Sequence, residues 1–300
     1  MFDVHHTGVS AVAGVEVGVW TDESALTGVT VICLPEPNVA AFEARGAAPG
    51  TRETALLAPG MKVDMIQAIC LAGGSAFGLA AADGVMAELA AAGRGHPTPA
   101  GPVPIVPAAI IFDRAVGEAV APDAAAGAAA FRACSGGVVP AGPVGAGTGA
   151  TVAKWRGPEH IRRGGQGSAD VTVDGATVGA LAVVNAVGDV FTLDGEALTG
   201  GSAVAAGPGW EVPDRQNTTL VTLTTDAALS RTELMRLVVR AHDALAVCLR
   251  PAHTRYDGDA VFAVSCGQLR ANLDALGEAA FAATGAAIED AVRRVQKEKN

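Results

Sequence analysis

A threonine that opens a strand directly after a loop places a nucleophile where the chain can be cut. Residues 216–226 read Gln-Asn-Thr-Thr-Leu-Val-Thr-Leu-Thr-Thr-Asp. The stretch before them, Gly-Pro-Gly-Trp-Glu-Val-Pro-Asp-Arg, is rich in glycine and proline and has no apolar period. From Thr218 on, β-branched residues dominate in a strand-like alternation, with Leu220 and Leu223 as the larger apolar members. Cutting the Asn217–Thr218 bond would give Thr218 a free α-amine beside its own hydroxyl. Such an amine titrates at about pH 8 and can act as general base for the hydroxyl. A plain strand start would look the same, so the tripeptide Asn-Thr-Thr leaves both readings open.

Four further residues have types and positions suited to chemistry. Asp257 and Asp259 flank Gly258 just before the apolar run 261–265, and their i, i+2 spacing lets both carboxylates face one side. The same Asp-Gly-Asp could be a turn, and the further ligands of a calcium loop are missing. Asn185 ends the apolar run 178–186; a buried amide there needs partners or serves as an oxyanion donor, and turn chemistry before Gly188 is the alternative. Lys154 follows the glycine-dense loop 142–150, either as an exposed amine or as a positive charge over a glycine-lined cleft. Gly145-x-Gly147-x-x-Ala150 within that loop lacks the preceding strand and later acidic residue of a dinucleotide site, so the loop is read as a place of close backbone approach. No cofactor or metal is expected. His5 and His6 are adjacent with no third ligand nearby, and His242 sits near an apolar helical stripe and reads as structural.

These residues need strands and helices to hold them. The runs 9–20 and 27–34 predict paired strands. An apolar run at 65–71, then Gly73-Gly74-Ser75, predicts a strand, a glycine turn and a helix over 76–92, with Ser75 as the cap. The compact polar cluster 50–54 is either a turn with a local Arg52–Glu53 pair or an ion-pair scaffold near a site. A strand is expected within 103–112 and an Ala-rich helix over 115–134. Segments 169–177 and 178–186 predict a hairpin about Asp174-Gly175. Ser230-Arg-Thr-Glu233 is a capping box for a helix stopped by Pro251, and 273–295 predicts a last helix with a fraying charged tail. Strand pairs alternating with helices imply sheets covered by helices.

The chain has 300 residues, half of them apolar, enough for a sizeable core. A formal net charge of −10 argues against nucleic acid or an anionic membrane as partner. The sequence has no apolar run of about eighteen residues and no signal-peptide pattern, so a cytoplasmic protein is expected. Cys33, Cys70, Cys134, Cys248 and Cys266 lack CxxC spacing and read as buried thiols.

Six ordered blocks, spanning nearly the whole chain, then carry a resemblance. They are Gly-Thr-Arg-Glu-Thr (50–54), Leu-Ala-Gly-Gly-Ser-Ala-Phe-Gly-Leu (71–79), Gly-Ala-Gly-Thr-Gly-Ala-Thr-Val-Ala-Lys (145–154), Val-Asn-Ala-Val-Gly-Asp (184–189), Asn-Thr-Thr-Leu (217–220) and Tyr-Asp-Gly-Asp (256–259). Together they resemble the self-processing aminopeptidase family of L-aminopeptidase/D-esterases, β-peptidyl aminopeptidases and nylon-oligomer endohydrolases. The resemblance implies an α+β fold, a four-layer αββα sandwich of the N-terminal-nucleophile-hydrolase type. It implies a single domain, 1–300, that cuts itself between Asn217 and Thr218 into chains 1–217 and 218–300 and assembles as a homotetramer.

By the resemblance, Thr218 is the nucleophile, and Lys154, Asn185, Asp257 and Asp259 match the supporting residues of the nylon-oligomer branch. The aminopeptidase branch has a serine nucleophile instead, with serine and glutamate at the positions of Asp257 and Asp259. Phe112 stands where studied members carry a cleft tyrosine. The expected activity is hydrolysis of peptides, β-peptides or oligoamides. The alternatives are an acyltransferase like ornithine acetyltransferase, whose architecture the family resembles, and a small-ligand-binding protein without turnover.

Overall fold

Short Val/Thr/Ala runs form strands because β-branched side chains suit a pleated surface, and Ala-rich runs of helical period cover them. The computed structural model describes residues 2–208, 210–211 and 217–297. In chain order its main elements are β1 (Val4–His5), β2 (Glu16–Asp22), β3 (Thr27–Cys33), β4 (Val39–Ala44), β5 (Thr51–Arg52), β6 (Ala68–Ala72), α1 (Ala81–Ala91), β7 (Ala108–Ile110), α2 (Ala124–Arg132), β8 (Thr151–Val152), β9 (Arg162–Arg163), β10 (Gly165–Val173), β11 (Ala176–Asn185), β12 (Asp189–Val190), β13 (Thr218–Ala227), α3 (Arg231–Cys248), β14 (Leu249–Arg250), β15 (Ala260–Leu269) and α4 (Leu273–Lys297).

Two large sheets result, one of six strands in the order β1-β10-β11-β13-β15-β4 and one of five in the order β2-β3-β6-β7-β5, beside the two-stranded pairs β8-β9 and β12-β14. Strand β13 lies antiparallel to β11 and parallel to β15. Leu181, Val183, Leu220 and Phe262 of the first sheet meet Ile32, Ile69 and Leu71 of the second in the central core. The other face of the six-stranded sheet, including Val221 and Val261, packs on Leu237, Leu245, Ala283 and Ile288 of α3 and α4. Helices α1 and α2 cover the five-stranded sheet through Val85, Leu89 and Ala130. The four layers are thus helix, sheet, sheet, helix, the expected sandwich. Each large side chain fully buried in these cores contributes roughly 1.5–3 kcal/mol. The abundance of small residues has a visible use where α1 meets α2. A Cβ at Gly84 would lie 1.8 Å from the Ala124 carbonyl oxygen, and one at Gly127 would lie 1.8 Å from that of Ala81.

Some local sequence signals match the structure and others do not. The hairpin turns at Asp174-Gly175, and Ser230 and Glu233 form the reciprocal capping box. The run 9–20 is a strand only in its second half, because Gly8–Ala11 forms a 3-10 turn. The helix expected over 115–134 begins only after Asp123, whose carboxylate accepts the Ala126 N–H at 3.0 Å. Ser75 is not a cap: its backbone is left-handed (φ 59°), the cap position falls on Gly74, and a 3-10 turn, Ser75–Ala80, precedes α1. Arg52 pairs with Asp83 of α1 at 2.6 Å, not with Glu53, tying the 50–54 cluster to the scaffold.

The five cysteines are free thiols; Cys134 and Cys266 are half-buried, and the Cys33 and Cys134 sulfurs lie 3.0 Å apart. Among the described residues no helix is long and apolar enough to cross a membrane. Gly209 and residues 212–216 of the loop before Asn217, and 298–300 of the expected frayed tail, lie outside the described residues.

Candidate active site

Strand alternation decides which way the first residue of β13 faces. Leu220 belongs to the core between the sheets and Val221 to the core under the helices, so Thr218, two before Leu220, shares the inter-sheet face. Asn185, the last residue of β11, pairs in register with Thr218 and follows Leu181 and Val183 on that same face. On the other side of β13, Leu220 pairs with Ala260, and an isolated parallel bridge joins Asn217 to Asp257. The segment Asp257-Gly258-Asp259 therefore runs into the sheet beside the start of β13. Three neighbouring strand ends bring Asn217, Thr218, Asn185, Asp257 and Asp259 together.

The carbonyl of Asn217 is the centre of this group. Its oxygen accepts the Thr218 Oγ–H at 2.5 Å and the main-chain N–H of Gly258 at 2.8 Å. The absence of a side chain at 258 is required, since a Cβ there would sit 2.8 Å from Thr218 Oγ and 2.7 Å from the Ala48 carbonyl oxygen. Both aspartates are buried and held by fixed donors. Asp257 accepts the N–H and the hydroxyl of Thr254 at 3.0 and 2.7 Å. Asp259 accepts the Thr219 N–H at 2.7 Å on one oxygen, and the N–H and ring of His253 at 3.0 and 2.8 Å on the other. Burial, and then the charge of Asp259, pushes the Asp257 carboxyl well above the usual carboxylate range, against the hydrogen bonds from Thr254.

Lys154 reaches the group from a separate loop. Ala153 before it is left-handed (φ 62°), and the N–H groups of Ala153 and Trp155 bond the carbonyls of Gly188 and Val187 at 2.9 Å each. Arg156 anchors the same turn through two 2.8 Å bonds to the Asp189 carboxylate. The Lys154 Nζ donates to the main-chain oxygen of Asn185 at 3.0 Å and to its side-chain oxygen at 3.1 Å. Burial pulls the amine down to about 7, while Asp257 and Asp259 pull the other way. The Asn185 oxygen also accepts the Thr151 N–H at 2.9 Å, and its Nδ2 donates to the Phe112 carbonyl at 3.2 Å.

Thr218 opens onto a cleft of about 380 Å³ lined by Ala47, Ala48, Pro49, Gly50, Ser75, Ala76, Ile110 and Phe112. The glycine turn after β6 forms one wall. Its shape depends on Asp113, which accepts the Thr27 hydroxyl and the Gly74 N–H at 2.7 Å each, and burial raises that carboxyl above its ordinary value. A hydroxyl held against a backbone carbonyl beside an ordered set of buried charges is suited to acyl chemistry.

The sequence matches the profile of peptidase family S58 over residues 8–298. The chain belongs to peptidase family S58. Its relatives include an uncharacterized aminopeptidase of Mycobacterium leprae, 43% identical over 271 residues, covering 83% of this chain and 73% of that one. A 6-aminohexanoate-oligomer endohydrolase of Paenarthrobacter ureafaciens is 32% identical over 274 residues, covering 85% of this chain and 74% of that one. Two solved structures share its fold at a TM-score of 0.74 each. One is a β-aminopeptidase of a Burkholderia species, 21% identical, covering 98% of this chain and 87% of that one. The other is the L-aminopeptidase D-Ala-esterase/amidase of Ochrobactrum anthropi, described as a variant of the Ntn hydrolase fold, 19% identical, covering 97% of this chain and 86% of that one. Family membership supports a peptide- or amide-hydrolysing enzyme, and the likeness to the two solved structures shows the fold.

Two contributors to the group carried no reading of their own in the sequence. Gly258 acts through its backbone N–H, and a glycine between two aspartates is the faint signal that something must come close. His253 lies six residues before Asp259, and nothing in that spacing announces the contact.

Proposed function

We propose that this S58 member is a self-cleaving amide hydrolase whose nucleophile is Thr218. The observation that carries the reading is the Asn217 carbonyl, whose oxygen is hydrogen-bonded by Thr218 Oγ and by the Gly258 N–H. In self-cleavage, Thr218 Oγ attacks the Asn217 carbonyl carbon. Negative charge develops on the carbonyl oxygen, where the Gly258 N–H is already directed. Collapse breaks the C–N bond as the proton lost from Oγ passes to the nitrogen, leaving an ester on Oγ and a free amine on Thr218. Water then hydrolyses the ester, giving chains 1–217 and 218–300.

In turnover the same Oγ attacks a substrate amide held in the cleft, and the Thr218 amine takes its proton. Asn185, which pairs with Thr218 across the strands and holds the Phe112 carbonyl through Nδ2, would stabilise the substrate oxyanion with the second N–H of that amide. Lys154 and the Asp257/Asp259 pair orient the amine and set its pKa, the carboxylates raising it and the lysine lowering it. The substrate class is a peptide, β-peptide or oligoamide, and the expected assembly is a homotetramer of processed pairs. Intact mass of the purified protein tests the reading, together with amide hydrolysis by wild type and by Thr218→Ala. Two chains cut after Asn217, and a Thr218→Ala protein both uncut and inactive, are expected. An active full-length chain would overturn it.

A further inference from the structure

We propose that His253 is a positioning residue that fixes the Asp259 carboxylate beside Thr218. The inference rests on the proposed Thr218 reaction but concerns a residue that reading leaves unassigned. His253 has a left-handed backbone, φ 54°. That conformation lets one residue aim two donors at one oxygen: the His253 N–H reaches Asp259 Oδ2 at 3.0 Å and ring Nδ1 reaches it at 2.8 Å. A carboxylate only accepts, so the ring proton sits on Nδ1. The other oxygen, Oδ1, accepts the N–H of Thr219 at 2.7 Å. Donors on both oxygens fix the plane of the carboxylate and couple it to the residue after the nucleophile.

The surroundings hold the ring in place. His253 Nε2 is buried with no hydrogen-bond partner among the described residues. The ring stands edge-on to His242 of α3, with centroids 4.9 Å apart. His242 is pushed down to about 3 by burial and by its neighbours His253 and Arg45, so it presents an uncharged ring. Glu43 closes the far side, its carbonyl 3.3 Å and its carboxylate 3.8 Å from His242 Nε2. A histidine that bonds one oxygen of a buried carboxylate, while the other oxygen holds the residue after the nucleophile, is placed to orient that carboxylate.

Backbone and ring contributions separate by choice of substitution. His253→Gly accepts the left-handed backbone and deletes the ring donor. His253→Asn also tolerates that backbone and returns an N–H donor on a short side chain. The expected result for His253→Gly is a kcat lower by about 10- to 100-fold with KM little changed, the scale of losing an outer partner of a metal-bound side chain. His253→Asn should recover most of that loss. Wild-type kcat in His253→Gly, or equal impairment in both variants, would overturn the proposal.

The ring proton gives a readout independent of turnover. In ¹⁵N-histidine-labelled Thr218→Ala protein, His253 should show the Nδ1-protonated tautomer, and adding Asp259→Asn should change it. A ring protonated on Nε2 alone, with Nδ1 bare, would overturn the positioning role. Amide hydrolysis by Thr218→Ala would instead strike at the proposed reaction, leaving the tautomer to decide on His253.

Discussion

The main-chain N–H of Gly258 and the hydroxyl of Thr218 converge on one atom, the carbonyl oxygen of Asn217, at 2.8 and 2.5 Å. A methyl at 258 would intrude 2.8 Å from that hydroxyl oxygen and 2.7 Å from the Ala48 carbonyl oxygen. Backbone on one side cannot move away cheaply, so the nucleophile or the donor must shift. Gly258→Ala is therefore expected to fold but to process roughly 100-fold more slowly or worse, the scale of losing one oxyanion donor. A gel time course, with circular dichroism as the folding control, checks this. Processing at the wild-type rate would remove the Gly258 N–H from the reaction.

Thr219 offers the complementary control. Its hydroxyl is buried without a hydrogen-bond partner among the described residues, while its N–H is the group that Asp259 accepts. Alanine keeps that N–H. Thr219→Ala should therefore cleave and turn over within a few-fold of wild type, with the new N-terminus still at residue 218. N-terminal sequencing of the small chain checks the register. Cleavage after residue 218 would move the nucleophile by one position.

Part of this arrangement is legible in the sequence. Side-chain alternation placed Thr218 and Asn185 on strands, the Asp174-Gly175 turn set their hairpin neighbours, and Ser230–Glu233 marked the start of α3. Those signals are local, and local physics suffices for them. Gly-Gly-Ser before a helix looks like a cap, but the left-handed backbone at Ser75 shifts the cap to Gly74 and leaves Ser75 lining the cleft. Arg52 found Asp83 thirty-one residues away in place of its neighbour Glu53, because the pairing depends on how α1 lies against β5. Gly258 and His253 were silent for the same reason. One acts through its backbone, the other through a contact created by its own unusual φ.

Asp259 is the next test. Its Oδ2 faces two donors from His253 and its Oδ1 faces the Thr219 N–H. An asparagine amide has one NH₂ end, and either orientation sets a donor against a donor. The protein should remain folded, while turnover falls by orders of magnitude, as when other orienting carboxylates are lost. In the processed fraction the Thr218 amine also loses an anionic neighbour. Its pKa should fall, so the ascending limb of the pH–rate profile should move to lower pH. The check is rate against pH for Asp259→Asn, with circular dichroism on the same sample. A wild-type rate and an unshifted limb would exclude Asp259 from the site.

Lys154 makes a prediction about stability and not rate. Its buried amine is depressed from 10.5 to about 7, with burial as the larger cause. Between those values the unfolded chain binds a proton that the folded chain lacks. Stability contributed by this group therefore rises with pH from about 7 toward 10.5, by at most about 1.4 kcal/mol per pH unit. Below the folded value both states carry the proton, and the dependence vanishes. Asp257 acts in the opposite sense over a lower window: its raised carboxyl binds protons in the folded state, so its contribution falls as pH rises out of the ordinary carboxylate range. The alkaline window thus belongs to the lysine. Thr218→Ala protein, which is expected to remain one chain, should gain urea resistance between pH 7.5 and 9.5 relative to Thr218→Ala/Lys154→Met. The stability of Thr218→Ala minus that of Thr218→Ala/Lys154→Met should rise by about 1–2 kcal/mol over that range. Two parallel stability curves would mean that Lys154 keeps an ordinary ammonium in the fold, and the charge balance drawn for the Thr218 amine would have to be redrawn without it.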